Sequence, residues 1–558
     1  MIDKNIKLSD LTRYKENNRL EAKKAKGGLP HSIWETYSSF ANTEGGLILL
    51  GVKELADGTL VPFKLDNPDK LIKEFWNVLN DPVKISSNIL VDANVSIIEE
   101  SGARIIAIEI PRANRHQKPV YVGPDPFKGS YRRNGEGDYH CRHDEVLGMI
   151  RDKADVSQDT IVLEQLDMKA FDPESIAGYR RRLELSRPGH IWLRLSDDEF
   201  LMKLGAAEYG ENRVLHPTAA GVLMFGFEDR IMREFPNYFL DYREVEPGAD
   251  RWVHRFVSSS GDWSGNVFDF FYRAYNRMQQ IIETPFKIAE NGRDRIDDTP
   301  VHKAMREALA NALINTDYYG RQGLVIIRGQ KDVQIANPGR FRIGIDEAIS
   351  GGFSDPRNAT LMKMFNLLDI GERAGSGLSN IFAVWSDEGW ALPTVVESLD
   401  PDRTVLELVL ASEEDLDAEF IASDANDDAN GANNDANGAN DGANDANNDA
   451  NGANDGANDA NGANNDANGA NDGANDANND AADDADAQMD NKILMVIQTN
   501  PNISATELSV IVNKSRRTVQ RAINRMKRES LIDRVGPTNG GEWRVTEKGV
   551  QKLAQCMN

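Results

Sequence analysis

The chain is poor in the residues that staple small folds together. It has two cysteines, Cys141 and Cys556, and eight histidines among 558 residues. Two thiols cannot make a disulfide framework or a four-thiolate zinc site. No run of 18 apolar residues occurs, which argues against a spanning helix. The opening MIDKNIKLSDLTRYKENNR lacks the apolar core of a secretory signal. These absences predict a cytoplasmic protein with no membrane partner. The length exceeds one hydrophobic core at roughly 100–200 residues per domain, so three or four domains are expected.

The 64 Lys and Arg are outnumbered by 89 Asp and Glu, a net charge of -25, but the imbalance is unevenly distributed. Residues 424–487 hold 16 Asp and no Lys or Arg, whereas residues 490–558 hold 12 Lys and Arg against 6 acids. The whole-chain balance therefore says little about any one domain, and the basic C-terminus must be read separately. The acidic tract is built from Ala, Asn, Asp and Gly, and the string ANNDANGANDGAND begins at Ala432, Ala446 and Ala463. With only alanine to stack, it cannot bury enough to offset chain entropy, and it reads as a disordered tether. As a flexible coil its ends would lie roughly 40–50 Å apart.

Before the tether, residues 1–155 carry strand-like runs, GGLILLGV, ANVSIIEE and ARIIAIEIP. Residues 156–290 mix helical stretches with the apolar TAAGVLMFGF and hold no chemical motif. They read as a connecting and oligomerisation domain. Residues 291–411 pair the helix-forming HKAMREALANALINTDYYG, with Gly320 as its expected stop, with the strands LVIIRG, VQIAN and TVLELVLA. In that helix Glu307, Asn311 and Asn315 are spaced i, i+4, i+8 and share one face. A carboxylate and two amides on one stripe can hold a hydrated metal and activate water, although solvated helix faces carry the same residues routinely.

Downstream come VQIANPGRFRIG, GGFSDPRN and GERAGSGLSNI, the last placing a glycine-rich GSG at the start of a helix, where backbone N–H groups favour phosphate. The order resembles the GHKL ATPases, the superfamily of gyrase, Hsp90, histidine kinases and MutL. The match is nearest to a branch written E-A-L-x-N-A-x-x-x-x-D-Y, N-P-G, S-x-P-R-N, G-S-G. The resemblance covers about 110 residues. It implies a GHKL α/β sandwich of the Bergerat type and an ATP site under a mobile lid, roughly residues 345–374. Glu307 then corresponds to the general base for hydrolysis and Asn311 to the Mg²⁺ ligand, with Asn315 on the same face. Asn337 and Gly339 correspond to the turn under the adenine, and Gly375, Ser376 and Gly377 to the phosphate loop. Two positions depart from the pattern. Asn337 stands where Asp is usual, and Asn315 where His is frequent.

The N-terminal ENNRLEAKKAK and FANTEGGLILLGVKE resemble the Schlafen/AlbA-like domain, over roughly residues 14–150. The family includes nucleic-acid-binding modules and metal-dependent nucleases with three carboxylates. Glu16, Glu21 and Glu54 would be those acids, with Lys53 preceding the third. The alternative is a binding face of Lys23, Lys24, Lys26, Arg132 and Arg133. HCRH at 140–143 places potential metal ligands on what reads as one strand, where they would point alternately up and down without further partners.

The C-terminal 70 residues resemble a winged helix. Ser504 and Glu507 have capping-box spacing, and Ser515 is an N-cap for SRRTVQRAINRMKRESL. Val519, Ile523 and Met526 form its apolar face, and Arg516, Arg517, Gln520 and Arg521 lie toward the other. Such a helix enters the major groove, with Arg and Gln reaching phosphates or base edges.

The expectation is an α+β multidomain protein. It has a Schlafen/AlbA-like domain (1–155), a connecting domain (156–290), a GHKL-type ATPase (291–411), a linker (412–488) and a winged helix (489–558). Its cofactors would be ATP and Mg, its partner DNA with RNA as the alternative, and its state a homo-oligomer. The resemblance implies an ATP-controlled transcriptional regulator. The competing reading is a Schlafen-like nuclease gated by ATP, acting in phage defence.

Overall fold

The computed structural model describes residues 19–55, 59–65, 67–100, 103–246, 251–282, 298–371, 377–399, 401–412, 489–498, 500–501, 503, 508, 512, 516–535 and 542–556. Glu16, Gly375, Ser376 and the Ala/Asn/Asp/Gly tract lie outside these residues, as do the side chains of Arg516, Arg517, Gln520 and Arg521. The chain divides into two compact units, Met1–Leu410 and Ala411–Asn558.

The first unit opens with β1 (Leu20–Lys23), α1 (Ile33–Asn42), β2 (Gly46–Leu50), β3 (Val52–Glu54), β4 (Leu60–Pro62), α2 (Pro68–Leu79), β5 (Val95–Glu100) and β6 (Ala103–Ile110). Four of these strands form a sheet in the order β1-β2-β6-β5, with β1 parallel to β2 and the other pairs antiparallel. The run GLILL is buried along its whole length, as a strand covered on both faces must be. The FANTEGG turn connects α1 to β2. Gly45 has φ +76, and a Cβ there would lie 2.6 Å from the Ile110 carbonyl. A Cβ on Gly46 would lie 2.6 Å from the Phe40 ring, so helix and strand close on each other only through glycine.

A short α3 (Pro126–Gly129) leads to β7 (Tyr131–Asn134), β8 (Gly137–His140) and α4 (His143–Lys153). Strands β7 and β8 form a hairpin, because Gly135-Glu136 turns the chain between the paired Asn134 and Gly137, with Gly135 at φ +57. HCRH is accordingly not on one strand. His140 ends β8, where its ring packs against Tyr131, and His143 opens α4. Cys141 is buried, which pushes its thiol up to about 12.

Next come α5 (Pro173–Ser186), α6 (Asp197–Leu204), β9 (Ala207–Tyr209), β10 (Leu215–Pro217), α7 (Ala219–Phe225), α8 (Glu228–Glu234), β11 (Leu240–Glu244), β12 (His254–Val257) and α9 (Val267–Met278). They are followed by α10 (Pro300–Asn315), β13 (Leu324–Arg328), β14 (Asp332–Pro338), α11 (Ile345–Ser350), α12 (Ala359–Leu367), α13 (Gly377–Asp387), β15 (Thr394–Leu399) and β16 (Asp402–Val409). A six-stranded sheet runs β12-β11-β13-β14-β16-β15. A boundary at 290 was expected, yet β11 and β12 from before it pair into this sheet, β11 parallel to β13. One hydrophobic core runs from Leu163 to Leu410. The connecting region is thus part of the same layered body, because Leu240 and Tyr242 of β11 bury their side chains in that common core.

In the second unit, residues 489–498 are helical, and the helix Arg516–Arg528 precedes an antiparallel pair, β17 (Ile532–Val535) and β18 (Glu542–Val545). A helix Glu547–Cys556 closes it. Val519, Ile523 and Met526 are buried in a core with Ile493, Leu494 and Trp543, so the apolar face read from the sequence packs inward. The protein is an α+β multidomain chain.

Candidate nucleotide site and nucleic-acid interfaces

Helix α10 supplies the first wall of a cavity of about 130 Å³. Leu309 and Leu313 are fully buried in the core, which turns Glu307, Asn311 and Asn315 toward the cavity on the opposite stripe. The helix ends at Asn315 rather than Gly320. Thr316 caps it by donating to the Ala312 carbonyl at 2.7 Å, and the Asp317 amide donates to the Pro338 carbonyl at 3.0 Å. That bond pulls the chain away toward the N-P-G turn. Asn311 Nδ2 donates to Glu307 Oε1 at 3.2 Å, and Asn311 Oδ1 accepts no hydrogen bond among the described residues. Asn315 is occupied otherwise. Its Nδ2 donates to the Asn311 carbonyl and its Oδ1 accepts the Arg357 amide.

Gly377, the first residue of α13, faces this pair. A Cβ on it would lie 2.5 Å from Glu307 Oε1 and 2.6 Å from Asn311 Nδ2. The Glu307 carboxylate and the Asn311 side chain thus stand against the first residue of α13; a helix start favours phosphate, and carboxylate and amide oxygens are of the kind a hard cation takes. At the other end of the cavity, Asn337 is buried at 8% exposure, and its amide makes no hydrogen bond among the described residues. Thr404 pairs with Asn337 across β14 and β16, and its hydroxyl donates to the Gly339 carbonyl at 2.8 Å. Ile335, Val395 and Leu406 give apolar lining beside them. The sequence reading missed Thr404. Only strand register brings it beside Asn337, and no motif marks it. Gly339 has φ +88, and its Cβ position lies 3.0 Å from the Arg357 guanidinium.

The stretch expected as a lid contains two helices of different standing. Leu361, Met362, Met364 and Phe365 of α12 are buried in the core, and the Asp159 carboxylate accepts the Thr360 and Leu361 amides at the start of that helix. Helix α11 buries only Ala348.

In the N-terminal domain, Glu21 and Glu54 line one open groove of about 570 Å³ together with Lys23, Lys24 and Lys26. Glu21 is already engaged, with Oε1 2.7 Å from Lys23 Nζ and Oε2 2.8 Å from Arg133 Nη2. Arg133 does not face solvent. Its side chain is 2% exposed and also pairs with Asp138, which in turn accepts from Thr36 and Ser39. Arg132 pairs with Glu145 at 2.6 Å. Both arginines were expected on a nucleic-acid-binding face, and both are turned inward to hold the β7–β8 hairpin and α4 against α1. Among the described residues, no group of three or more His, Cys, Asp or Glu side chains is placed to hold a metal ion. No helix among them is long and apolar enough to cross a membrane.

Family models match four stretches of the chain. Residues 12–142 match Schlafen, AlbA_2, and residues 147–241 match a domain of unknown function. Residues 327–405 match the putative ATP-dependent DNA helicase recG C-terminal model, and residues 487–533 match winged helix-turn-helix DNA-binding. Glu307 and Asn311 lie just ahead of the third stretch. No curated protein matches the chain. Among solved structures, it is similar to the DIP2311 protein from Corynebacterium diphtheriae, at 14% identity over 96% of this chain and 94% of that one, with a TM-score of 0.37. It is also similar to the N-terminal domain of a putative ATP-dependent DNA helicase RecG-related protein from Nitrosomonas europaea. There the identity is 27%, over 24% of this chain and 90% of that one, with a TM-score of 0.20. In chain order, this protein joins a Schlafen/AlbA_2 domain, an ATPase-like domain of the GHKL (HATPase) kind and a C-terminal winged helix-turn-helix domain.

Proposed function

We propose that this protein binds and hydrolyses ATP, binds DNA, and uses the nucleotide to control how it holds DNA, as a transcriptional regulator does. The observation that carries the reading is one cavity with two chemically different ends. Glu307 and Asn311 abut Gly377 at one, and the Asn337 side-chain amide, which makes no hydrogen bond among the described residues, stands beside Thr404 at the other. The Asn337 Oδ1 accepts from the amino group of adenine, and its Nδ2 offers a donor that a carboxylate would lack. The Glu307 carboxylate orients the attacking water and receives its proton. The Gly377 amide at the start of α13 donates to phosphate oxygens. Asn311 Oδ1 and the phosphates would hold Mg²⁺, which supplies charge neutralisation on the phosphates.

DNA would lie on the Lys23, Lys24 and Lys26 groove and on the winged helix, where Arg516, Arg517, Gln520 and Arg521 supply phosphate and base contacts. A homo-oligomer would double the winged helices and raise their effective concentration on DNA. Cleavage at the groove is the weaker reading, because both oxygens of Glu21 are taken by cations. The test is calorimetry with a nonhydrolysable ATP analogue and Mg²⁺, followed by electrophoretic shift of DNA with and without ATP. Analogue binding, loss of phosphate release in Glu307→Ala, and an ATP-dependent shift are expected. Absence of binding heat overturns the nucleotide reading, and a shift indifferent to ATP overturns the regulation.

A further inference from the structure

The cavity wall is shared with the N-terminal domain. Arg340, Arg342 and Arg357 line the nucleotide cavity, and they also line a smaller cavity of about 40 Å³ bounded on its far side by Arg112, Lys118, Glu145 and Asp152. The chain therefore passes from the N-P-G turn straight into the interface with α4 and the loop after β6. Arg112 pairs with Glu397 and donates to the Phe341 carbonyl, while Arg340 reaches the Asn42 carbonyl of the FANTEGG turn.

One carboxylate at this interface has a particular position. Asp152, at the end of α4, accepts from Arg342 Nε at 3.1 Å and from Arg357 Nη1 at 2.9 Å, both on its Oδ1. The two guanidinium side chains are 7% and 10% exposed. Their other carboxylates stand farther off, Asp355 at 3.7 Å from Arg342 and Asp317 at 3.9 Å from Arg357. Removing the shared acid leaves the two buried cations with only those more distant carboxylates, toward which they would shift. Arg357 also donates to the carbonyls of Asn315 and Arg340, so its rotation would disturb both the end of α10 and the N-P-G turn. Asp152 is itself fixed, since Arg115 donates to its carbonyl at 2.7 Å and pairs with Asp355 on the same cavity wall at 2.5 Å.

We infer that Asp152 is a positioning residue of the nucleotide site: the N-terminal domain completes that site in cis by fixing Arg342 and Arg357 on its wall. The inference rests on the nucleotide reading above and adds a consequence. If this domain shapes the cavity, nucleotide and α4 report on each other, since coupling of binding free energies is reciprocal.

The test uses the full chain, Mg²⁺ and a nonhydrolysable ATP analogue. Asp152→Asn should weaken analogue binding about tenfold, or about 1.4 kcal/mol, and raise KM for ATP more than it lowers kcat. Asp152→Glu should recover most of the loss, which a defect of packing alone would not allow. Hydrogen exchange on the unsubstituted protein adds an arm that needs no variant. The analogue should slow exchange over residues 143–153. Wild-type affinity in Asp152→Asn, or unchanged exchange over 143–153 when the analogue is bound, overturns the inference while leaving nucleotide binding intact. No heat with the unsubstituted protein overturns the nucleotide reading and this inference together.

Discussion

Gly377→Ala offers a sharp separation of site from scaffold. The added methyl would sit 2.5 Å from Glu307 Oε1 and 2.6 Å from Asn311 Nδ2. Nonbonded atoms settle at roughly 3.5 Å or more, so the Glu307 carboxylate must retreat by about 1 Å. Displacement on that scale costs about 10²-fold in a positioned reaction. The fold has little to lose, because the obstructing atoms are the ends of side chains and not backbone. Alanine is also favoured over glycine within a helix by roughly 0.5–1 kcal/mol. We expect phosphate release to fall about a hundredfold while the melting temperature of the full chain stays within ~4 °C. Phosphate-release kinetics alongside scanning calorimetry measure both. Turnover at the wild-type rate would refute the placement of Gly377 against the reacting groups. Loss of turnover together with a melting temperature lower by ~10 °C would show that Glu307 and Asn311 are rigid packing groups rather than a poised site.

Asn42 donates to the Val120 and Tyr131 carbonyls and accepts the Val120 amide while fully buried, so Asn42→Ala should cost about 2–3 kcal/mol by leaving that amide unpaired. Urea unfolding measures it, and an unchanged midpoint would refute the stabilising role of these hydrogen bonds. Burial alone would raise the Glu397 carboxyl, but Arg112 and Arg340 outweigh it and hold it below the usual range. The stabilisation from Glu397 is therefore complete above the ordinary glutamate pKa and lost as pH falls through the depressed folded value. Glu397→Gln should flatten the acid-side fall of melting temperature, and parallel pH curves would count against it. Arg517→Ala with Arg521→Ala should weaken DNA binding and reduce the slope of log affinity against log salt by about 2. An unchanged slope would point to protein docking by this domain.

The acid-and-amide stripe of α10 was legible because helical spacing alone puts Glu307, Asn311 and Asn315 on one face. The strand runs of the N-terminal domain were legible because GLILL and ARIIAIEI are short, apolar, rich in Ile and Leu, and bounded by Gly or Pro. The hairpin at 131–140 was not, although Gly135 signals a turn, because the polar flanks hide the alternation of two short strands. Arg132 and Arg133 read as a basic surface because a sequence gives charge without direction. Their partners Glu21, Glu145 and Asp138 come from other elements.

By itself the sequence determined the order of the modules and the local chemistry of each motif, since both depend on neighbours within a few residues. Only tertiary structure decided that β11 and β12 belong to the ATPase-like sheet, that Thr404 stands beside Asn337, and that Asp152 holds two arginines on the cavity wall. Each of those contacts joins residues far apart in the chain, and the burial that makes it favourable exists only once the core has closed around it.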